Sequence, residues 1–213
     1  MSEVLICKMY DCRSVDDGLL DEVLSLLSNE RRGVAETYMS FNDRVMSAVA
    51  GLCMEELGRR LHTSVIKLPN GKPVFSTGDM HLSVSHSAGM VVIAWSDMPV
   101  GVDVQGIVPM GRIADRMLTP SEKVVMPDMT DRSLVRVWTM KESYLKMIGV
   151  GVAKGLSGLD VLSNGTSIPG DGFGFRTEYV SDDVILTVCG RSDIPIDIEI
   201  SVVRSLDDIL NTI

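Results

Sequence analysis

Glu142 and Lys146 stand one helical turn apart in a stretch, Leu134 to Ile148, whose apolar spacing predicts a helix, and Trp138 lies one turn before them on the same face. A carboxylate and an ammonium so placed can hold a divalent cation and a phosphate side by side, as phosphoryl transfer requires. An ordinary ion pair on a solvated helix has the same spacing. Asp103 is read as ending a strand that starts at Val100, and the two-residue period brings Gln105 to the same side if the strand continues that far, which makes an edge to which a metal can bind. His86 lies between Ser85 and Ser87, where hydroxyl, imidazole and turn amides together can receive a phosphate. The plainer alternative is a hydrogen-bonded core or turn histidine. A serine hydrolase is disfavoured, because no GxSxG elbow is present and the adjacent Ser85 and His86 fall on opposite faces of a strand. The glycine-rich run Gly149 to Gly155 follows a helix, whereas a dinucleotide-binding turn must precede one.

Positioning these residues takes strands in one place and helices in another. Glu3 to Tyr10 is β-prone, and Asp16 and Asp17 cap a helix carrying Leu19, Leu20, Val23, Leu24 and Leu27. A second helix starts at Asn42 or Asp43, with Val45, Met46, Val49, Leu52, Cys53, Leu57 and Leu61 toward a core. Pro69, Asn70, Gly71 and Pro73 make a turn, and His81 to Ser85, Met90 to Ser96 and Val100 to Val104 read as successive strands. Thr119-Pro120-Ser121-Glu122 has the form of a capping box, and Gly149 ends the helix from Leu134. Four β-prone segments follow, near Leu159 to Leu162, Phe173 to Val180, Val184 to Cys189 and Ile196 to Val203. The pattern predicts an α+β fold with two subdomains, 1–99 and 100–213, each a mostly antiparallel sheet with helices.

The chain has 213 residues, 45% of them hydrophobic, so it can fill a core without disulfides. Its formal charge of −9 argues against a general electrostatic grip on nucleic acid or anionic lipid, and any phosphate site must be local. The longest uncharged stretch, Met80 to Ser96, contains two histidines and four serines and does not suit a bilayer. Acidic residues near the N-terminus argue against a signal peptide, so a cytoplasmic protein is expected. Cys7, Cys12, Cys53 and Cys189 lack metal-site spacing and read as reduced, buried thiols.

Three runs in this order, Ser83-Val84-Ser85-His86-Ser87, Gly101-Val102-Asp103-Val104, and Trp138 to Lys146 followed by Gly149 and Gly151, resemble the Sfp-type 4'-phosphopantetheinyl transferases, whose patterns are N(V/I)SHS, G(I/V)D(I/V)E and WxxKEAxxKxxGxG. Gly71-Lys72-Pro73 and Asn42-Asp43-Arg44 extend the resemblance upstream, so that it covers roughly residues 30 to 160. The resemblance implies a pseudo-dimer of two similar α+β subdomains with coenzyme A in the cleft between them. The serine hydroxyl of an apo acyl or peptidyl carrier protein would attack the β-phosphate, releasing 3',5'-ADP. By position, Asp103, Glu142 and Gln105 would meet magnesium, Lys146 would hold the pyrophosphate, and Glu142 would draw the proton from the serine. Lys72, Ser85, His86 and Arg44 would contact the phosphates of the nucleotide. Retention of Lys141 beside Glu142 fits an active enzyme, and Glu122 is explained by its capping role.

Two positions depart from the family pattern. Gln105 replaces a glutamate, and an amide binds a hard cation less strongly than a carboxylate. Met46 stands where many relatives have an arginine, which bears on discrimination between coenzyme A and its dephosphorylated form. A degenerate relative that binds coenzyme A or a carrier without efficient transfer is therefore the alternative, and a metal-dependent phosphohydrolase is a third reading. A monomer is expected. For carrier docking, residues 106–126 offer Ile107, Val108, Met110, Ile113, Met117 and Leu118 among Arg112, Arg116 and Lys123, either as an apolar groove with a basic rim or as core beneath a solvated face.

Overall fold

The computed structural model describes residues 5–126, 128–150, 156–162 and 172–213. They form an α+β fold in four layers, helices on sheet on sheet on helices. The first strand, β1 (Leu5–Asp11), lies in a sheet with β4 (His81–Ser87), β5 (Met90–Ser96) and β9 (Ile196–Val202), in the order β4-β5-β1-β9. β4, β5 and β1 pair antiparallel, whereas β9 runs parallel to β1. The chain from residue 196 thus returns to the sheet that the N-terminal strands build. A second sheet of β6 (Gly101–Gly106), β8 (Val184–Arg191) and β7 (Phe173–Ser181), in the order β6-β8-β7, is antiparallel throughout. β2 (Val65–Lys67) and β3 (Pro73–Phe75) form a small ribbon.

Strand alternation builds the layers. Tyr10, Val91, Ile93 and Trp95 face α1 (Asp17–Leu26) and α3 (Phe41–Arg60), whereas Cys7, Met9, Met90, Val92 and Ala94 face the second sheet and meet Val102, Val104, Leu186 and Val188 there. This double burial explains why β5 is apolar at almost every position. The outer face of the second sheet, with Ile185 and Cys189, is covered by α6 (Asp131–Ile148). All four cysteines are free and buried.

The helix ends follow local chemistry. Asp16 accepts from the amide of Leu19 as N-cap of α1, Thr119 and Glu122 close the capping box of α5 (Pro120–Val125), and Gly149 ends α6 at φ 73°. The second long helix begins slightly earlier than its sequence predicts, with Ser40 as N-cap. α2 (Asn29–Glu36), α4 (Gly111–Met117) and α7 (Asp207–Leu210) are short and carry weak patterns of their own. Leu159 to Leu162 is not a strand: the Val161 amide donates to Glu122 at 2.9 Å, so the segment ties down α5 instead of joining a sheet.

Candidate active site

Asp103 sits in mid-strand rather than at a strand end, with its neighbours Val102 and Val104 turned into the inter-sheet core and its own side chain toward α6. The close approach of α6 depends on Gly101, since a Cβ there would lie 1.8 Å from the Ser143 carbonyl oxygen. With no side chain in the way, Glu142 and Lys146 come down beside Asp103. The Lys146 Nζ donates to Asp103 Oδ1 at 2.6 Å and to Ser85 Oγ at 2.7 Å, and Ser85 Oγ donates to the same carboxylate oxygen at 2.8 Å. Ser85 also accepts from the Val104 amide at 3.4 Å, so its one proton and two lone pairs are all engaged. Residues 18 and 61 positions apart in sequence to Ser85 are thereby joined to it.

The second oxygen of each carboxylate is the informative one. Asp103 Oδ2 and Glu142 Oε1 are buried without a protein partner among the described residues. Two orphaned buried carboxylate oxygens suit a hard cation. Among the described residues no third Asp, Glu, His or Cys joins them, so from the protein a cation would add only neutral oxygens. The half-buried Gln105, next on the same face of β6, can supply one.

Burial pushes the Asp103 carboxyl up, and the Lys146 ammonium and the Ser85 hydroxyl pull it partly back. Glu142 is pushed up to about 7, first by burial and then by the Asp103 charge, with Lys146 opposing. It is thus poised to gain or lose a proton near neutrality. Its folded value lies above the ordinary 4.5, so between 4.5 and about 7 the folded protein binds more proton than the unfolded chain. The stability this group contributes is complete below 4.5 and is lost as pH rises through about 7. In ligand-free protein, melting temperature therefore falls across this window, and Glu142→Gln flattens that fall. An identical slope in the variant would assign the proton uptake to other groups.

The remaining predicted residues are distributed around this centre. Lys72 and Lys146 both line a cleft of about 520 Å³ with Gly71, Pro73, Ser83 and Gly149. The Lys72 ammonium donates to the Met147 carbonyl at 2.8 Å, and Asn70 donates to the Gly149 carbonyl at 2.8 Å, so this turn caps the end of α6. Burial holds Lys72 below the usual lysine value. His86 is exposed at the rim, yet desolvation of its ring and then the Lys146 charge hold it below the usual imidazole value. Arg44 is not brought to the Asp103 centre: its guanidinium reaches the Tyr38 carbonyl at 3.4 Å.

Arg31, unremarked in the sequence, lines a small pocket with His86, Lys67 and Tyr38. Its guanidinium packs against Gly51, where a Cβ would come within 2.8 Å, and donates to the Ser47 carbonyl. The signal was weak because α2 is polar on most sides and its alignment with β4 is tertiary.

Lys141 is placed elsewhere than in the catalytic cluster. It is fully buried and donates to Glu122 Oε2 at 2.6 Å and to the carbonyls of Met117 and Leu156. In the segment expected to dock a carrier, Met110, Met117 and Leu118 are core and Ile107 and Ile113 pack against it, because α4 and α5 lean on α6. The apolar groove is therefore filled from within, whereas Arg112, Arg116 and Val108 are exposed. Residues 151–155, which include Gly151 of the third motif, lie outside the described residues.

Residues 99–189 match the model of the 4'-phosphopantetheinyl transferase superfamily. The chain is similar to the 4'-phosphopantetheinyl transferase gsp of Aneurinibacillus migulanus, at 30% identity over 71% of this chain and 68% of that protein. It is also similar to 4'-phosphopantetheinyl transferase psf-1 of Bacillus pumilus, at 30% identity over 65% and 64% of the two chains. For 4'-phosphopantetheinyl transferase Sfp of Bacillus subtilis (strain 168) the identity is 30% over 43% of each chain.

Proposed function

Because this chain belongs to the 4'-phosphopantetheinyl transferase superfamily, we propose that it moves the phosphopantetheine arm of coenzyme A onto a serine hydroxyl of an apo carrier protein, in the cleft between subdomains 1–99 and 100–213. The observation that carries the reading is the cluster of Asp103, Glu142, Lys146 and Ser85, with two carboxylate oxygens left open. In the reaction the serine oxygen forms a bond to the β-phosphorus, the bond to the bridging oxygen breaks, and 3',5'-ADP leaves with that oxygen. Glu142, poised near neutrality, takes the serine proton. Lys146 turns its ammonium from Asp103 toward the pyrophosphate and neutralises charge there. A magnesium ion held by Asp103, Glu142 and Gln105 would supply further charge neutralisation on the phosphate oxygens.

Arg31, Lys67 and Lys72 make one wall of the cleft and its neighbouring pocket basic in a chain of net charge −9, with the His86 imidazole beside them as a neutral hydrogen-bonding group, which suits the nucleotide phosphates. The arrangement of Asp103, Glu142 and Lys146 disfavours a merely binding relative, since binding alone needs no pair of buried carboxylate oxygens left without a protein partner. Incubation with coenzyme A, magnesium and a panel of apo-carriers tests the reading. A carrier that gains the mass of the arm while 3',5'-ADP appears supports it, and coenzyme A binding without either product favours the degenerate relative.

Carrier docking rests on the exposed cations rather than on the buried apolar residues between them. Arg112→Glu together with Arg116→Glu raises the Michaelis constant for the carrier several-fold and leaves that for coenzyme A nearly unchanged, because rim charges steer the macromolecular partner. If both constants move together, or neither moves, the docking surface lies elsewhere. Among the described residues no helix is long and apolar enough to cross a membrane.

A further inference from the structure

We propose that Ser83 and Ser87 are positioning residues for transfer, because with Ser85 they form a hydroxyl ladder that joins the two sheets and fixes the backbone on both sides of Asp103. The inference rests on the transferase reading above. β4 is an edge of one sheet and β6 an edge of the other, and each has its backbone ladder on its far side, with β5 and β8 respectively. The amides of Val102, Val104 and Gly106 point away from β8. Ser83 Oγ accepts from Val102 at 3.0 Å, Ser85 Oγ from Val104 at 3.4 Å and Ser87 Oγ from Gly106 at 3.5 Å, each across the same interval of 19 residues.

A constant interval over alternate residues is the register of two parallel strands, made here through side chains. Interposing a Cβ–Oγ arm keeps the strands farther apart than a backbone ladder would. Ser83 forms part of the cleft wall beside Lys146. Val84 and His86, between the serines, are free to face the other way.

The consequence for Asp103 is direct. Its neighbours on either side, Val102 and Val104, are both held by amide hydrogen bonds, so the strand cannot rotate about its axis without breaking one of them. That rotation would swing the Asp103 carboxylate away from Lys146 and Glu142. Ser85 already belongs to the catalytic cluster, so the role of the ladder is read at the other two rungs. Where the family pattern has asparagine at the first rung, this chain has Ser83, a shorter acceptor that reaches Val102 through one fewer atom.

The test compares Ser83→Ala/Ser87→Ala with Ser83→Thr/Ser87→Thr, which keeps both hydroxyl acceptors. Turnover, both Michaelis constants and amide hydrogen exchange are measured well below each melting temperature. In the alanine pair, kcat falls about 10-fold or more with KM for coenzyme A within about two-fold, because the Ser83 hydroxyl is engaged by the Val102 amide, so its loss displaces the reacting groups while the cations of the cleft stay in place. Exchange at Val102 and Gly106 accelerates in the same protein, and the threonine pair restores both readouts. A kcat in the alanine pair within about two-fold of wild type overturns the inference, as does slow turnover that threonine does not restore. Wild-type protein inactive on every apo-carrier overturns the transferase reading instead, and the two failures are told apart because exchange at Val102 and Gly106 is read without turnover.

Discussion

Asp103→Asn and Glu142→Gln each lower turnover by about 10² or more in protein that remains folded, the loss expected when a carboxylate that would hold a charge-neutralising cation, or that accepts the serine proton, is removed. Each substitution keeps side-chain volume and deletes one negative charge from a cluster that also holds Lys146 and Ser85. In Asp103→Asn the amide oxygen would still accept from Lys146, but the second polar atom would be an NH₂ group turned toward the space where Asp103 Oδ2 is now unpartnered. In Glu142→Gln the amide cannot take a proton near neutrality. The two losses are not additive, since both residues serve one centre, so the double variant is little slower than the slower single one. Binding of coenzyme A, measured by calorimetry, changes far less than kcat, because the basic wall of Lys72, Lys67 and Arg31 is untouched. Near-normal turnover in either single variant removes that residue from the centre.

Lys141→Met gives the largest loss of stability, about 3–5 kcal/mol, the cost of leaving one member of a buried ion pair without the other. Lys141 and Glu122 are both fully buried, and the ammonium holds α6 to the ends of two other segments through Met117 and Leu156. Glu122 cannot be released to solvent, because its carboxylate also accepts from the amides of Thr119 and Val161. Adding Glu122→Gln to Lys141→Met recovers part of the loss, since an amide oxygen keeps an acceptor there without the buried charge. Chemical denaturation measures the difference, and turnover per folded molecule stays near that of wild type. A stable but inactive Lys141→Met would instead place the lysine in the chemistry, next to Glu142, as its position in the motif suggests.

That contrast between adjacent residues marks the limit of what spacing reveals. Lys141 and Glu142 are neighbours in sequence, but about 100° of helical rotation sends one into a buried cap and the other toward Asp103 and Lys146. The helix itself, its stop at Gly149, the capping box at Thr119 and the strands from His81 to Gly106 were legible because they depend on local chemistry: period, caps and glycine conformation. The segment from residue 106 to 126 was not legible in the same way. Its apolar residues fit a groove or a core equally well, and only the packing of α4 and α5 on α6 assigned Met110, Met117 and Leu118 to the core.

The sequence by itself determined the family, because three motifs in fixed order need no coordinates to be read, and it determined the α+β class through its alternating and helical periods. Tertiary structure alone decided how the residues of those motifs act on one another. The open oxygens of Asp103 and Glu142, the shared hydroxyl of Ser85 and the elevated Glu142 carboxyl arise from burial and from contacts between segments 18 to 61 residues apart. The return of β9 to pair with β1 and the serine rungs between β4 and β6 belong to the same category. Desolvation and long-range hydrogen bonding depend on which surfaces meet, and a local pattern of side chains does not specify its partner.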